Sequence, residues 1–157
     1  MSRSLLIQNR QRLRSLNVRY LRQLTCSVLE NLPDIEDFDL AICIIHAPEM
    51  ARLNETFLRH QGSTDVITFD YSELKTSLHG ELFICMDDAI TQAREFRTTW
   101  QSELVRYIIH GILHLRGYDD LKPDLRRRMK REEGRLLHEI TRSFPLRKLA
   151  GKTKLAA

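Results

Sequence analysis

The residues with the clearest capacity for chemistry lie in the stretch IIHGILHLRGYDD, residues 108–120. His110 and His114 are four positions apart, so a helix would place both imidazoles on one face, where a single cation can bind them. A glycine then ends the helix, and the turn after it can return Asp119 or Asp120 to the same cation. Two histidines and one carboxylate form a catalytic zinc set with a coordination position open for water. The alternative from spacing alone is a pair of core histidines followed by a capping turn.

Other catalytic motifs are weaker or absent. An HxxxH pair alone also suggests a metallopeptidase, but in the HExxH proteases a glutamate beside the first histidine serves as general base. Gly111 occupies that position here, which argues against peptide hydrolysis by that mechanism. The chain contains no GxGxxG, GxxxxGK[ST] or GxSxG motif, so neither a nucleotide cofactor nor serine-hydrolase chemistry is supported.

Hydrophobic periodicity predicts the elements that must position these residues. The predicted strands are SLLIQNRQ, FDLAICIIHA, TDVITFDY and GELFICM. The predicted helices are NVRYLRQLTCSVLENL, PEMARLNETFLR, DDAITQAREF, TTWQSELVRYIIHGILHLRG and PDLRRRMKREEGRLLHEI. This order indicates a single α+β domain over residues 1–142, with a small mixed four-stranded sheet, about five to six helices and the metal site on a central helix. Residues 143–157 form a basic tail that we expect to be disordered.

Composition and charge narrow the class of partner. The chain has 157 residues, of which 42% are hydrophobic and 29% charged, with a net charge of +4. Arginines dominate the N-terminal region, and the basic run RRRMKR lies at 126–131. This distribution of charge suits binding of a polyanion such as RNA. The alternative interpretation is that the basic residues form ordinary solvated helix faces. No apolar run approaches the roughly 20 residues of a membrane helix, and the N-terminus lacks a secretory signal pattern. We therefore expect no membrane partner and a cytoplasmic location.

Several motifs resemble one known family. The run HGILHLRGYDD closely resembles the signature HGxLHLxGYDH of the YbeY family, bacterial metal-dependent endoribonucleases involved in ribosomal RNA maturation. LNETFLRHQGSTDVITFDY is similar to the family segment LNxxYR…TDVLSF, and HGELFICMDDAITQA is similar to its LGDIxI strand and following helix. The motifs keep the family order over most of residues 1–142.

The resemblance implies a zinc-dependent, single-strand-specific endoribonuclease, a hydrolase that processes ribosomal RNA precursors in association with the ribosome. It implies one Zn²⁺ per chain, held by His110, His114 and Asp120, where the family has a third histidine at the last position. Aspartate is a harder and shorter ligand than histidine, so another divalent metal is also expected to bind. Asp119 matches the family aspartate and is expected to support the ligands or the turn.

The resemblance also assigns residues to the substrate. Arg59 matches the functional arginine of the family and is expected to bind phosphate and stabilise the transition state. Independently of the resemblance, the position of Tyr118 beside the metal site makes it the residue expected to stack on RNA bases. The replacement of histidine by Asp120 keeps a second function open: a non-catalytic, RNA-binding ribosome-assembly factor with a weakened or structural metal site.

Overall fold

The sheet is the framework on which the helices pack. The computed structural model describes residues 3–58 and 65–151. The strands in this part of the chain are β1 (Arg3–Asn9), β2 (Asp37–Ile45), β3 (Val66–Asp70) and β4 (Ser77–Cys85). They form one sheet in the order β1-β2-β4-β3, in which β1, β2 and β4 are parallel and β3 is antiparallel to β4. The predicted mixed four-stranded sheet is confirmed.

Five α-helices accompany the sheet within the described ranges, in agreement with the predicted α+β class. They are α1 (Val18–Glu30), α2 (Ala47–Leu53), α3 (Met86–Phe96), α4 (Trp100–Leu115) and α5 (Pro123–Ser143). A π-helical turn, Asn54–Leu58, continues α2, and a 3-10 turn, Leu146–Leu149, follows α5. Each helix of residues 3–58 and 65–151 is too short or too polar to span a lipid bilayer.

The helix that carries the histidines is buried in the main core. Alternate residues of β2 and β4 point to the same face of the sheet, where Ile42, Leu82 and Ile84 are fully buried against α4. Gly111 allows the close approach, because a Cβ atom there would lie 2.8 Å from a methyl carbon of Leu82. Any side chain at position 111 would therefore point at the sheet.

The start of the basic C-terminal segment is folded, contrary to the disorder that its composition predicted. Leu149 is completely buried, and Ala150 forms an isolated β-bridge with Leu16. The amide of Asn17 donates to the carbonyl of Leu149 at 2.8 Å, and the Tyr20 hydroxyl donates to the carbonyl of Pro145 at 3.0 Å. The apolar residues of the segment dock against the start of α1, which no local pattern in a basic sequence could indicate. Residues 152–157 of the predicted tail lie outside the described residues.

Candidate metal centre

The two histidines lie side by side in the C-terminal half of α4, most of whose residues are buried. Helix α4 begins at its cap Thr99, whose side chain accepts a hydrogen bond from the amide of Ser102 at 3.1 Å. The His110 and His114 side chains keep 29% and 28% of their surface exposed, although most of their neighbours in α4 are buried. Their Nε2 atoms are 3.1 Å apart, as the spacing of four residues predicted.

The turn after α4 returns a carboxylate to the histidines. Gly117 has a left-handed φ of 99°, and the amide of Tyr118 donates to the carbonyl of Leu113 at 3.0 Å, a glycine-terminated helix end. Oδ2 of Asp120 then lies 3.7 Å from Nε2 of His110 and 3.8 Å from Nε2 of His114. Of the two aspartates that spacing left open, the structure therefore brings Asp120 to the histidines.

Asp119 has a different environment. Its Oδ1 accepts a hydrogen bond from the amide of Leu121 at 2.9 Å, so the carboxylate stabilises the turn that carries Asp120. The carbonyl of Asp120 in turn accepts a hydrogen bond from Nε of Arg126 at 3.2 Å. These contacts hold both the carbonyl and the amide of the peptide unit that joins Asp120 to Leu121.

The second ring nitrogen of each histidine fixes which nitrogen faces Asp120. Nδ1 of His110 lies 3.0 Å from Oε1 of Glu133, and Nδ1 of His114 lies 3.1 Å from the carbonyl oxygen of Tyr118. Since carbonyl and carboxylate oxygens accept hydrogen bonds, we assign the ring hydrogens to both Nδ1 atoms. Both Nε2 lone pairs then face the same gap, where they repel each other unless a cation lies between them.

Glu133 is the site residue that sequence reasoning missed. It lies in α5, is 7% exposed and also lies 3.5 Å from a guanidinium nitrogen of Arg106. Its hydrogen bond is the largest cause of the raised pKa of His110, and burial of that ring acts in the opposite direction. The available signal was a position in the apolar stripe of α5, four residues after Met129 and four before Leu137, where a lone glutamate needs a partner.

The arrangement fits a divalent metal ion. The three ligand atoms of His110, His114 and Asp120 lie within 4.8 Å of one another, and they form the one such group in the described ranges. Two neutral imidazoles and one carboxylate suit zinc, and outer hydrogen bonds from Nδ1 to a carboxylate and to a carbonyl are the usual support for histidine ligands. The set leaves a coordination position for water or substrate.

Two clefts lie near the candidate metal centre. The first has a volume of about 540 Å³ and includes His110 and Glu133 in its wall, together with Phe96 and Lys130. The second, of about 400 Å³, is formed by the turn after α4 and the start of α5. Its lining residues are Arg116, Gly117, Tyr118, Asp119, Leu125 and Arg128. The first cleft therefore borders His110, and the second borders the turn that carries Asp120.

The structure describes Tyr118 but not Arg59, the two residues predicted to contact the substrate. Tyr118 is half-buried, packs against the main core and lines the second cleft. Trp100, at the start of α4, is half-buried and packs against the same core. Arg59 lies in the gap between the two described ranges. Asp65, the first described residue after that gap, lines the first cleft.

Comparisons with known proteins find the same family as the sequence motifs. A family model described as Endoribonuclease YbeY matches residues 6–141. An Endoribonuclease YbeY of Chlorobium phaeovibrioides is 42% identical over 88 residues, covering 56% of this chain and 59% of that protein. The match to the Salinibacter ruber protein of the same name is 30% identical over 124 residues and covers 72% of this chain and 79% of the relative.

The fold comparison covers more of the chain. The solution structure of TM1509 from Thermotoga maritima has a TM-score of 0.67 at 25% sequence identity, covering 98% of this chain and 99% of that protein. The Chlorobium phaeovibrioides match spans about three fifths of that relative's length, and a match to Chlorobium luteolum covers 66% of the relative. The sequence similarity to these relatives therefore covers one part of a fold that almost the whole chain shares with the Thermotoga maritima protein.

Proposed function

Because the chain belongs to the YbeY endoribonuclease family, we propose that it is a metal-dependent endoribonuclease that cleaves single-stranded segments of ribosomal RNA precursors. The family membership that the sequence motifs predicted is confirmed. The proposal includes association with the ribosome, a cytoplasmic location and a catalytic domain over residues 1–142. The family resemblance supplies the substrate, and the local chemistry described below supports the reaction type.

The observation that carries the proposal is the pair of imidazole Nε2 lone pairs that face one carboxylate. We assign His110, His114 and Asp120 as ligands of one Zn²⁺ per chain; the harder aspartate also favours Mn²⁺ or another divalent ion more than a third histidine would. A metal ion there would act as a Lewis acid and lower the pKa of bound water to about 7, which would supply a nucleophile for phosphodiester hydrolysis.

The protein groups around the ligands have defined tasks in this proposal. Glu133 and the Tyr118 carbonyl hold the histidine tautomers, so that Nε2 of both rings stays free of hydrogen. Arg59 is proposed to bind the scissile phosphate and to stabilise the negative charge that develops on its oxygens. Asp119 supports the turn that carries Asp120.

The second cleft supports an anionic, chain-like substrate. Its described lining includes two basic residues, Arg116 and Arg128, and one acidic residue, Asp119. The Arg116 guanidinium donates to the carbonyl of Pro33 at 3.2 Å, which limits its freedom at the wall of the cleft. A phosphate beside the ligands would meet fixed positive charge there, and the Tyr118 ring in the same cleft is the proposed stacking partner for a base.

Peptide hydrolysis is a poorer fit to the same ligands. The glutamate of an HExxH protease would occupy position 111, which holds glycine and faces Leu82 of the sheet, where a Cβ atom would lie 2.8 Å from a methyl carbon. The helix therefore cannot supply that general base from this position. The non-catalytic alternative, an RNA-binding assembly factor, differs from the proposal in its expected response to metal removal.

The first test is metal content, followed by RNA cleavage. We expect about one zinc or other transition-metal ion per chain by elemental mass spectrometry of protein purified without chelators or a histidine tag, and loss of that metal in Asp120→Ala. Cleavage of single-stranded ribosomal RNA fragments should stop with a chelator and in His114→Ala. His138→Ala, which changes an exposed histidine of α5, is the matched control. RNA binding without turnover in metal-loaded protein would favour the assembly factor, and chelator-resistant cleavage would refute the metal mechanism.

A further inference from the structure

We propose that the first cleft is a nucleobase subsite, in which one unpaired base of the RNA stacks on the ring of Phe96. The inference rests on the proposed function, because it names a substrate subsite beside the same three metal ligands. His110 and Glu133 form part of the wall of this cleft, so a nucleotide bound in it would lie next to the reacting phosphate.

Phe96 has the exposure and the position of a stacking platform. It is the last residue of α3, and 62% of its surface is exposed, although a phenyl ring favours burial. Arg97 follows with a left-handed φ of 56° and ends the helix, which turns the chain at the rim of the cleft. No aromatic ring of residues 3–58 or 65–151 pairs with Phe96, so its face is available to a ligand ring.

The charges of the cleft favour a base over a bare phosphate. Among the described residues, the charged ones that line it are Asp65, Glu103, Arg106, Lys130 and Glu133. These three carboxylates against two cations offer an isolated polyanion little attraction, whereas carboxylates can accept hydrogen bonds from the exocyclic amino groups of bases. Gln92, one turn before Phe96 in α3, adds an amide that can donate and accept at a base edge.

The two cations have separate tasks. Arg106 is held towards Glu133, with 3.5 Å between the guanidinium and the carboxylate, and is therefore part of the wall near His110. Lys130 is exposed and forms no ion pair with any described residue, so its ammonium group is available to the phosphate that follows the bound base. The cleft therefore suits a nucleotide whose base lies on Phe96 and whose backbone continues past α5.

The subsite also gives a physical reason for a preference for unpaired RNA. Bases in an A-form duplex are stacked on both faces, and side chains cannot read them from the deep, narrow major groove. Only an unstacked base can place its face on the Phe96 ring. Because every base has a π-face, we expect the stacking to tolerate different sequences and to exclude duplex.

The test uses the full-length, metal-loaded protein and a ten-nucleotide single-stranded RNA that contains one 2-aminopurine. Binding and the quenching of 2-aminopurine fluorescence are read by stopped flow in the first second after mixing, before turnover. Phe96→Leu keeps an apolar side chain but removes the π-face, and we expect binding to weaken about tenfold to hundredfold with loss of quenching. Phe96→Trp should keep both. Tyr71→Leu, which removes another exposed ring outside the two clefts, is the control.

The outcomes separate this proposal from the proposed catalysis. Wild-type binding and quenching in Phe96→Leu would overturn the subsite, even if the protein cleaves RNA. A specific loss in Phe96→Leu would support the subsite, even if the wild-type protein fails to cleave. A duplex of the same sequence should bind equally to both proteins without quenching, and duplex quenching in the wild type would contradict selection of an unpaired base. Thermal unfolding of each variant checks that the fold is retained.

Discussion

Removal of the Glu133 carboxylate should weaken metal binding without removing a ligand. In the structure, Oε1 of Glu133 lies 3.0 Å from Nδ1 of His110, and the side chain is only 9% exposed, so solvent screens its charge little. In Glu133→Ala, the His110 ring loses this partner, which holds Nε2 towards His114 and increases its basicity as a ligand.

The expected magnitude follows from this single contact. Loss of a partner behind a ligating histidine reduces metal affinity by about 10- to 100-fold, which corresponds to about 1.4–2.7 kcal/mol. A charge-assisted hydrogen bond is roughly twice as strong as a neutral one, so we place Glu133→Ala in the upper half of that range. Glu133→Gln keeps an oxygen that can accept from Nδ1 but has no charge, and its loss should be tenfold or less.

Competition with a chromophoric zinc chelator of known affinity measures this effect directly at pH 8, where protons compete least with the metal. Glu132→Gln is the matched control, because the Glu132 carboxylate pairs with Arg135 on the exposed side of α5. Folded Glu133→Ala protein that binds zinc within twofold of the wild type would refute the role that we derive for Glu133. Equal losses in Glu133→Ala and Glu132→Gln would show a general effect of charge.

Two further predictions concern packing and thiol reactivity. Gly111→Ala should lower the free energy of unfolding by up to about 2 kcal/mol, because crowding against Leu82 outweighs a helix-propensity gain of about 1 kcal/mol. Gly134→Ala should instead raise the free energy of unfolding by about 0.8–1 kcal/mol, because no atom lies within 4 Å of the new Cβ. Urea unfolding measures both, and equal signs would contradict the argument. Burial raises the pKa of the Cys85 thiol to about 11, so iodoacetamide at pH 8 should modify half-buried Cys26 first; mass spectrometry after partial reaction would reveal the opposite order.

The sequence by itself determined the local part of the metal centre. His110 and His114 are four positions apart in a helix, and helix geometry alone then places the two rings on one face. Gly117 marks the end of the helix, and three further residues suffice to return Asp120 to the rings. The strand and helix patterns likewise predicted the mixed sheet and the order of the elements, because alternation and helical periodicity are local properties of the chain.

Only the tertiary structure decided how those local parts are completed. Glu133 reaches His110 because α5 packs beside α4, and the contact joins residues 23 positions apart that no periodicity relates. The position of Asp120, rather than Asp119, beside the histidines also depended on the path of the turn, in which one carboxylate accepts a hydrogen bond from the backbone and the other faces the rings. Leu149 is buried for the same reason: contacts with the start of α1 offset the cost of ordering a segment that is too basic and too short to fold alone.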